Sequence, residues 1–140
     1  MQRFILLLFP FILACGKLQG EFAFKTPLDE GYRTKMERLE FPVEEEIQWV
    51  YRFKAAPSSK NYFGVVVLKK DLSWVDVLSY SDYVDETKQF LYGTIKNFEP
   101  GDYKIVITQR KDDEVKIIDQ IEFYLYSDEE YENEVDTDSP

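Results

Sequence analysis

The side chains able to do chemistry in this 140-residue chain are mainly carboxylates, phenols and one thiol: there are 27 Asp+Glu, 10 Tyr and a single Cys, and no His. Without His the commonest general base and the commonest metal ligand are missing. One Cys excludes an intramolecular disulfide, a thiolate-rich zinc site and dithiol redox chemistry. Catalysis would then rest on two carboxyls facing across a cleft, one of them with a raised pKa. The densest acidic runs, Glu44-Glu45-Glu46 and Asp112-Asp113-Glu114, adjoin turn signals instead, where solvated surface charge is expected. Asp71, Asp112, Asp113 and Glu114 could offer oxygens to a hard cation, yet no Asp-x-Asp-x-Asp-Gly loop accompanies them. The chain reads as non-catalytic, with no cofactor and no metal.

Charge and aromatic content narrow the partners. A net charge of −10 argues against nucleic acid, whose binding depends on clustered Lys and Arg. Aromatic residues make up 16% of the chain, and flat rings stack on sugars. Trp49 and Tyr51 sit on an alternating apolar face and read as core. Trp74, Tyr80 and Tyr83 lie in a more polar stretch; they are the better candidates for an exposed patch taking a carbohydrate or peptidoglycan ligand, with edge-strand packing as the competing explanation.

The thiol stands in a telling place. After Arg3 comes an unbroken apolar run from Phe4 to Ala14, and Cys15 follows directly. That run is too short to span a bilayer as a helix, which takes roughly 20 residues, and it reads as the core of a secretory leader. Ile12-Leu13-Ala14-Cys15-Gly16 resembles the lipobox of bacterial lipoproteins, in which an aliphatic residue stands three before the Cys and a small residue just before it. The resemblance implies cleavage between Ala14 and Cys15, a diacylglyceryl thioether on Cys15 and acylation of the mature protein. Gly16 is not the Asp that retains such proteins in the inner membrane of enteric bacteria, so the resemblance leans toward the outer membrane. An ordinary leader that leaves a free Cys, or a short uncleaved anchor, are the other readings of these residues.

Residues 15–21 form a lipidated spacer in this reading, and from Phe22 to Tyr126 short alternating runs are separated by turn signals, as in an all-β sandwich. Ile47, Trp49, Tyr51 and Phe53 keep strict period 2. Tyr62 to Leu68 is almost continuously apolar and is expected to be central and covered on both faces. Trp74–Tyr80 and Phe90–Phe98 are further strands, with a loop or helical turn from Ser81 to Lys88. Arg110 to Glu114 is a hairpin turn, and Val115 to Tyr126 a last strand burying Ile117, Ile121 and Phe123. Phe22–Lys25 and Arg38–Val43 read as strands, while Leu28, Tyr32, Met36 and Leu39 fall at helical spacing, so residues 29–39 are open between strand and helix.

One motif is more specific. Pro100-Gly101 is a turn dipeptide, and Tyr103 enters the next strand ahead of Ile105 and Ile107. This arrangement resembles the tyrosine corner of immunoglobulin-like and fibronectin type III-like domains, in which the ring packs in the core while the hydroxyl bonds upstream backbone. With no Cys pair and with Trp49 on an early strand, the resemblance is closer to fibronectin type III. It implies a single antiparallel sandwich of about seven strands.

Residues 127–140 hold seven acids and no base, a composition that reads as a disordered tail. The leader carries one base, so the part between leader and tail has 16 Lys+Arg against 20 Asp+Glu and a net charge of only −4. The sequence therefore leads to a monomeric, lipid-anchored β-sandwich of the bacterial envelope that engages a protein partner through a sheet edge or the segment Ser79–Lys88, or alternatively a sugar.

Overall fold

A computed structural model describes residues 20–34, 36–55 and 57–129. The leader, Ala14, Cys15, the spacer as far as residue 19 and the acidic tail from residue 130 lie outside the described residues. Eight strands follow in order: β1 (Gly20–Lys25), β2 (Glu40–Pro42), β3 (Ile47–Phe53), β4 (Asn61–Lys70), β5 (Trp74–Val84), β6 (Phe90–Ile95), β7 (Gly101–Lys111) and β8 (Glu114–Tyr126). They form a three-stranded sheet, β1-β3-β6, facing a five-stranded sheet, β2-β8-β7-β4-β5. The chain is thus the expected all-β sandwich. Every pairing is antiparallel except the three-residue parallel contact of β2 with β8, which adds an eighth, very short strand.

The period-2 pattern explains the layers. On β3, Ile47, Trp49, Tyr51 and Phe53 are all buried, and the residues between them face outward. Phe22 and Phe24 of β1, Phe63, Val65 and Val67 of β4, and Tyr103, Ile105 and Ile107 of β7 meet them in one core. No polar or charged residue is among the buried side chains described. Rings dominate the contact between sheets: Phe53 lies 4.8 Å from Phe63, and Phe24 lies 5.3 Å from Phe41 and 6.2 Å from Phe123. Each such side chain buried contributes about 1.5–3 kcal/mol, enough in sum to hold two sheets without a disulfide.

Several expectations need correction. Strand β4 is central, between β5 and β7, but only its inner face is buried; Gly64, Val66 and Leu68 on the outer face are half-exposed. Residues 29–34 and 36–39 are neither helix nor strand: apart from an isolated bridge between Arg33 and Phe24, they form irregular chain, because Asp29 accepts the Thr26 amide at 2.9 Å and turns the backbone there. Strand β5 runs on to Val84, so the first half of Ser81–Lys88 is strand, followed by a turn in which Asp85 accepts the amides of Thr87 and Lys88. Strand β6 stops at Ile95 rather than Phe98; Asn97 is left-handed, with φ 60°.

The last strand shows why parity fails over long runs. Ile107 of β7 pairs with Asp119 but Thr108 pairs with Ile117, leaving Ile118 as an extra residue. This bulge shifts the alternation, so Phe123 is buried, Ile121 half-buried, and Ile117, expected inside, is 58% exposed on the outer face. The β7–β8 hairpin closes with Asp112 and Asp113, at φ 51° and 64°, the two left-handed residues that a type I′ turn requires. Gly20 opens β1 opposite Phe53 and Tyr126 ends β8 opposite Pro42; the two termini therefore leave from opposite poles of the sandwich.

Candidate binding surfaces

Strand β5 carries all three aromatic residues singled out for sugar binding, but the fold separates them. Among the described residues it is an edge strand, paired only with β4. Trp74 lies opposite Lys70 at one end and Tyr83 opposite Tyr62 at the other, both on the outer face of the sheet and about 27–30 Å apart at strand rise. Their rings are not bare. Lys104 Nζ stands 4.4 Å from the Trp74 ring centre, while Lys60 and Lys88 stand 4.3 and 4.7 Å from that of Tyr83. Tyr80 points the other way, into the gap between sheets, where its hydroxyl donates to the Tyr92 carbonyl at 2.8 Å. Burial pushes its pKa up to about 12. The three side chains make no common patch, because cations occupy the outer rings and the third ring joins β5 to β6.

The Pro100-Gly101-x-Tyr103 segment has a structural geometry. Gly101 adopts φ 147°, a conformation that side chains disfavour. Two residues on, the Tyr103 ring is sandwiched by Phe98 at 5.4 Å and Phe123 at 5.5 Å, nearly parallel to both. Its hydroxyl donates to the Glu99 carbonyl at 2.6 Å, and burial raises its pKa. The loop entering β7 is thereby pinned to the core. Lys69 adds an ion pair to Glu99 at 3.0 Å.

The acidic runs do not converge. Glu46 pairs with Lys96 at 3.5 Å, Asp112 and Asp113 form the hairpin turn, and no group of three or more potential metal ligands is found among the described residues. No described helix is long and apolar enough to cross a membrane.

Two surfaces remain that could receive a partner. The first is the free edge of β5. Val75, Val77 and Leu78 are 49, 43 and 41% exposed there, because the opposite sheet is only three strands wide and ends at β6. A register shift places Val77 out of the β4 ladder: Val67 pairs with Leu78, but Leu68 pairs with Asp76. An edge presents unpaired backbone amides and carbonyls, a template for another strand.

The second surface is the outer face of β1-β3-β6, which no other layer covers among the described residues. Cross-strand rows Glu21–Arg52–Phe90 and Ala23–Val50–Tyr92 lie side by side. Together with Tyr32 and Thr34 they line a groove of about 690 Å³. The segment 31–34 forms its wall and is tied down by paired backbone bonds, Phe24 N to Arg33 O at 3.0 Å and Arg33 N to Phe24 O at 2.8 Å. Sequence reading overlooked this site. Its one signal was Val50, an apolar residue on the otherwise polar face of β3, with Phe90 and Tyr92 on the matching face of β6.

No protein-family model matches the chain, and no curated protein sequence matches it. Among solved structures, the chain is similar to the soluble domain of PmoD from Methylocystis sp. ATCC 49242 (Rockwell), with a TM-score of 0.55 at 11% identity over 75% of this chain and 89% of that one. At that identity the likeness is one of fold: a bacterial soluble domain shares the all-β arrangement of this chain.

Proposed function

We propose that the protein is a lipid-anchored, non-catalytic binding module of a bacterial envelope, held to the outer membrane through acylated Cys15 and engaging an extended segment of an envelope protein by strand addition along β5. The observation that carries the binding mode is the free, eleven-residue edge of β5 with its three exposed apolar side chains. Strand addition draws affinity from main-chain hydrogen bonds and specificity from alternate side chains. Anchoring rests on the apolar leader that ends at Ala14-Cys15. From Cys15 to Gly20 five residues span at most about 18 Å, so a lipid on Cys15 keeps the pole at Gly20 near the bilayer. The acidic tail leaves from the opposite pole, away from anionic headgroups.

The test has two arms. Metabolic labelling with a palmitate analogue should mark the protein and be lost in Cys15→Ala; label that survives the substitution refutes the anchor. A photo-crosslinking residue at position 77 should trap a discrete partner in intact cells, whereas one at position 117, exposed on the outer face of β8, should not. Equal capture at both positions, or none at 77, removes β5 as the docking edge.

A further inference from the structure

The outer face of β1-β3-β6 has a second chemistry at its end. The groove floored by Ala23 and Val50 continues past Arg52 into a polar cleft of about 510 Å³ lined by Lys54, Thr87 and Gln89, and the two spaces share Glu21, Arg52 and Phe90. Apolar side chains thus give way to cations along one continuous channel. Among the described residues, neither Arg52 nor Lys54 is in an ion pair. Two cations against the single Glu21 leave the polar end electropositive, in a chain that is otherwise strongly acidic.

Such a channel selects its ligand physically. Each of its two parts falls in the size range of small-molecule sites, and the apolar part is bounded by Tyr32 on the anchored wall and Tyr92 on β6. A ligand that satisfies both ends must be slender and apolar along its length and anionic at one tip. We infer that this groove binds a single-chain anionic amphiphile, a long-chain carboxylate, with its hydrocarbon along Ala23 and Val50 and its carboxylate at Arg52 and Lys54. The guanidinium can hold a carboxylate through two parallel hydrogen bonds. The site lies on the sheet opposite β5 and depends neither on the lipid anchor nor on the partner proposed above.

Calorimetric titration of the purified full-length chain with dodecanoate, kept below its micellar concentration, tests the assignment. One equivalent should bind; acetate, lacking the tail, should not, and dodecyltrimethylammonium, with the same tail and the opposite charge, should bind at least about tenfold more weakly. Arg52→Gln should weaken dodecanoate at least about tenfold, the loss of one charge-assisted hydrogen bond. Val50→Trp, which fills the floor from the exposed face, should abolish binding while thermal unfolding stays cooperative. If Val50→Trp does not fold, Phe90→Ala serves as the second groove variant and should weaken binding severalfold. Equal affinity for the two head groups, unchanged affinity in both groove variants, or no dodecanoate binding overturns the inference. So does attachment to phosphatidylglycerol vesicles that needs Arg52 while dodecanoate binding is absent, since that reports surface attraction alone.

Discussion

Trp49, Tyr51 and Tyr103 on the central strands and Trp74, Tyr80 and Tyr83 on β5 are the same residue types on the same kind of strand, yet the first three are at most 2% exposed and the second three are all partly exposed. The difference is one of neighbours. Strands β3 and β7 have a paired strand on each side and a facing sheet over their inner side chains, whereas β5 overhangs a sheet that ends at β6. A ring on β3 can be surrounded by other rings; Tyr51 has Phe22 at 4.7 Å and Phe53 at 5.0 Å. The outward rings on β5, Trp74 and Tyr83, are covered on one side and faced by lysines on the other. Burial of an aromatic residue is therefore decided by the strand's place in the sandwich, not by its own alternation.

Several substitutions would break or sharpen this contrast, beginning with the largest effect. Trp49→Ala should cost about 3–5 kcal/mol in denaturant unfolding, by lost burial and the cavity left behind; a loss under about 1 kcal/mol would mean that the core is not centred on β3. Gly93→Ala comes next, at about 1–3 kcal/mol. Its Cβ would stand 2.6 Å from the Tyr80 hydroxyl and 2.7 Å from Trp49 Nε1, so it strains both groups of aromatics at once. Unchanged stability would show that β5 does not rest on β6. Tyr103→Phe should cost about 1 kcal/mol for the hydrogen bond to Glu99, while Tyr83→Phe, whose hydroxyl has no such backbone partner among the hydrogen bonds described, should stay within about 0.5 kcal/mol. Equal costs for the two would erase the contrast.

Alkaline unfolding gives a directional test. Burial, reinforced by the Asp119 carboxylate that accepts its hydroxyl at 3.1 Å, drives the Tyr51 pKa well above the ordinary tyrosine range; Tyr80 is pushed up to about 12. A phenol whose pKa is raised by folding is protonated in the native state where the unfolded chain has already ionised. The native state then holds more protons, so this stability is complete below about pH 10, the unfolded tyrosine value, and is lost as pH rises through the folded values. Tyr51→Phe should flatten the decline above pH 10, measured by urea midpoints, more than Tyr83→Phe does; identical slopes would contradict the assignment. The smallest change is expected of Trp74→Ala, within about 1 kcal/mol for a partly exposed edge residue.

Local pattern was legible where strands are short and straight. The alternation of β3 and the turn before Tyr103 place their residues correctly, because one face of β3 meets the core over its whole length; the apolar run of β4 gave its central position but not its half-exposed outer face. Pattern failed where a bulge intervenes, as at Ile118, which carries Ile117 to the outside, and at Val77 on β5. It failed again between Leu28 and Leu39, where Met36 and Leu39 pack against the core but Leu28 and Tyr32 stay exposed, and Asp29 turns the chain. The groove over Val50 was nearly invisible, since it depends on β1 and β6 flanking β3 and on a loop that folds back to Phe24.

The amino-acid sequence by itself determined the all-β class, the aromatic core face of β3 and the chemistry that is missing with His and paired Cys, because these follow from residue type and period alone. Its acidic imbalance resolves by region in the same way, with most of the excess outside the sandwich. Only the tertiary structure decided which strand became an edge, that the rings of Trp74 and Tyr83 are faced by lysines, and that Arg52 and Lys54 end an apolar channel. Those features arise from pairings between residues far apart in the chain, and an alternation read along one strand carries no information about its neighbours.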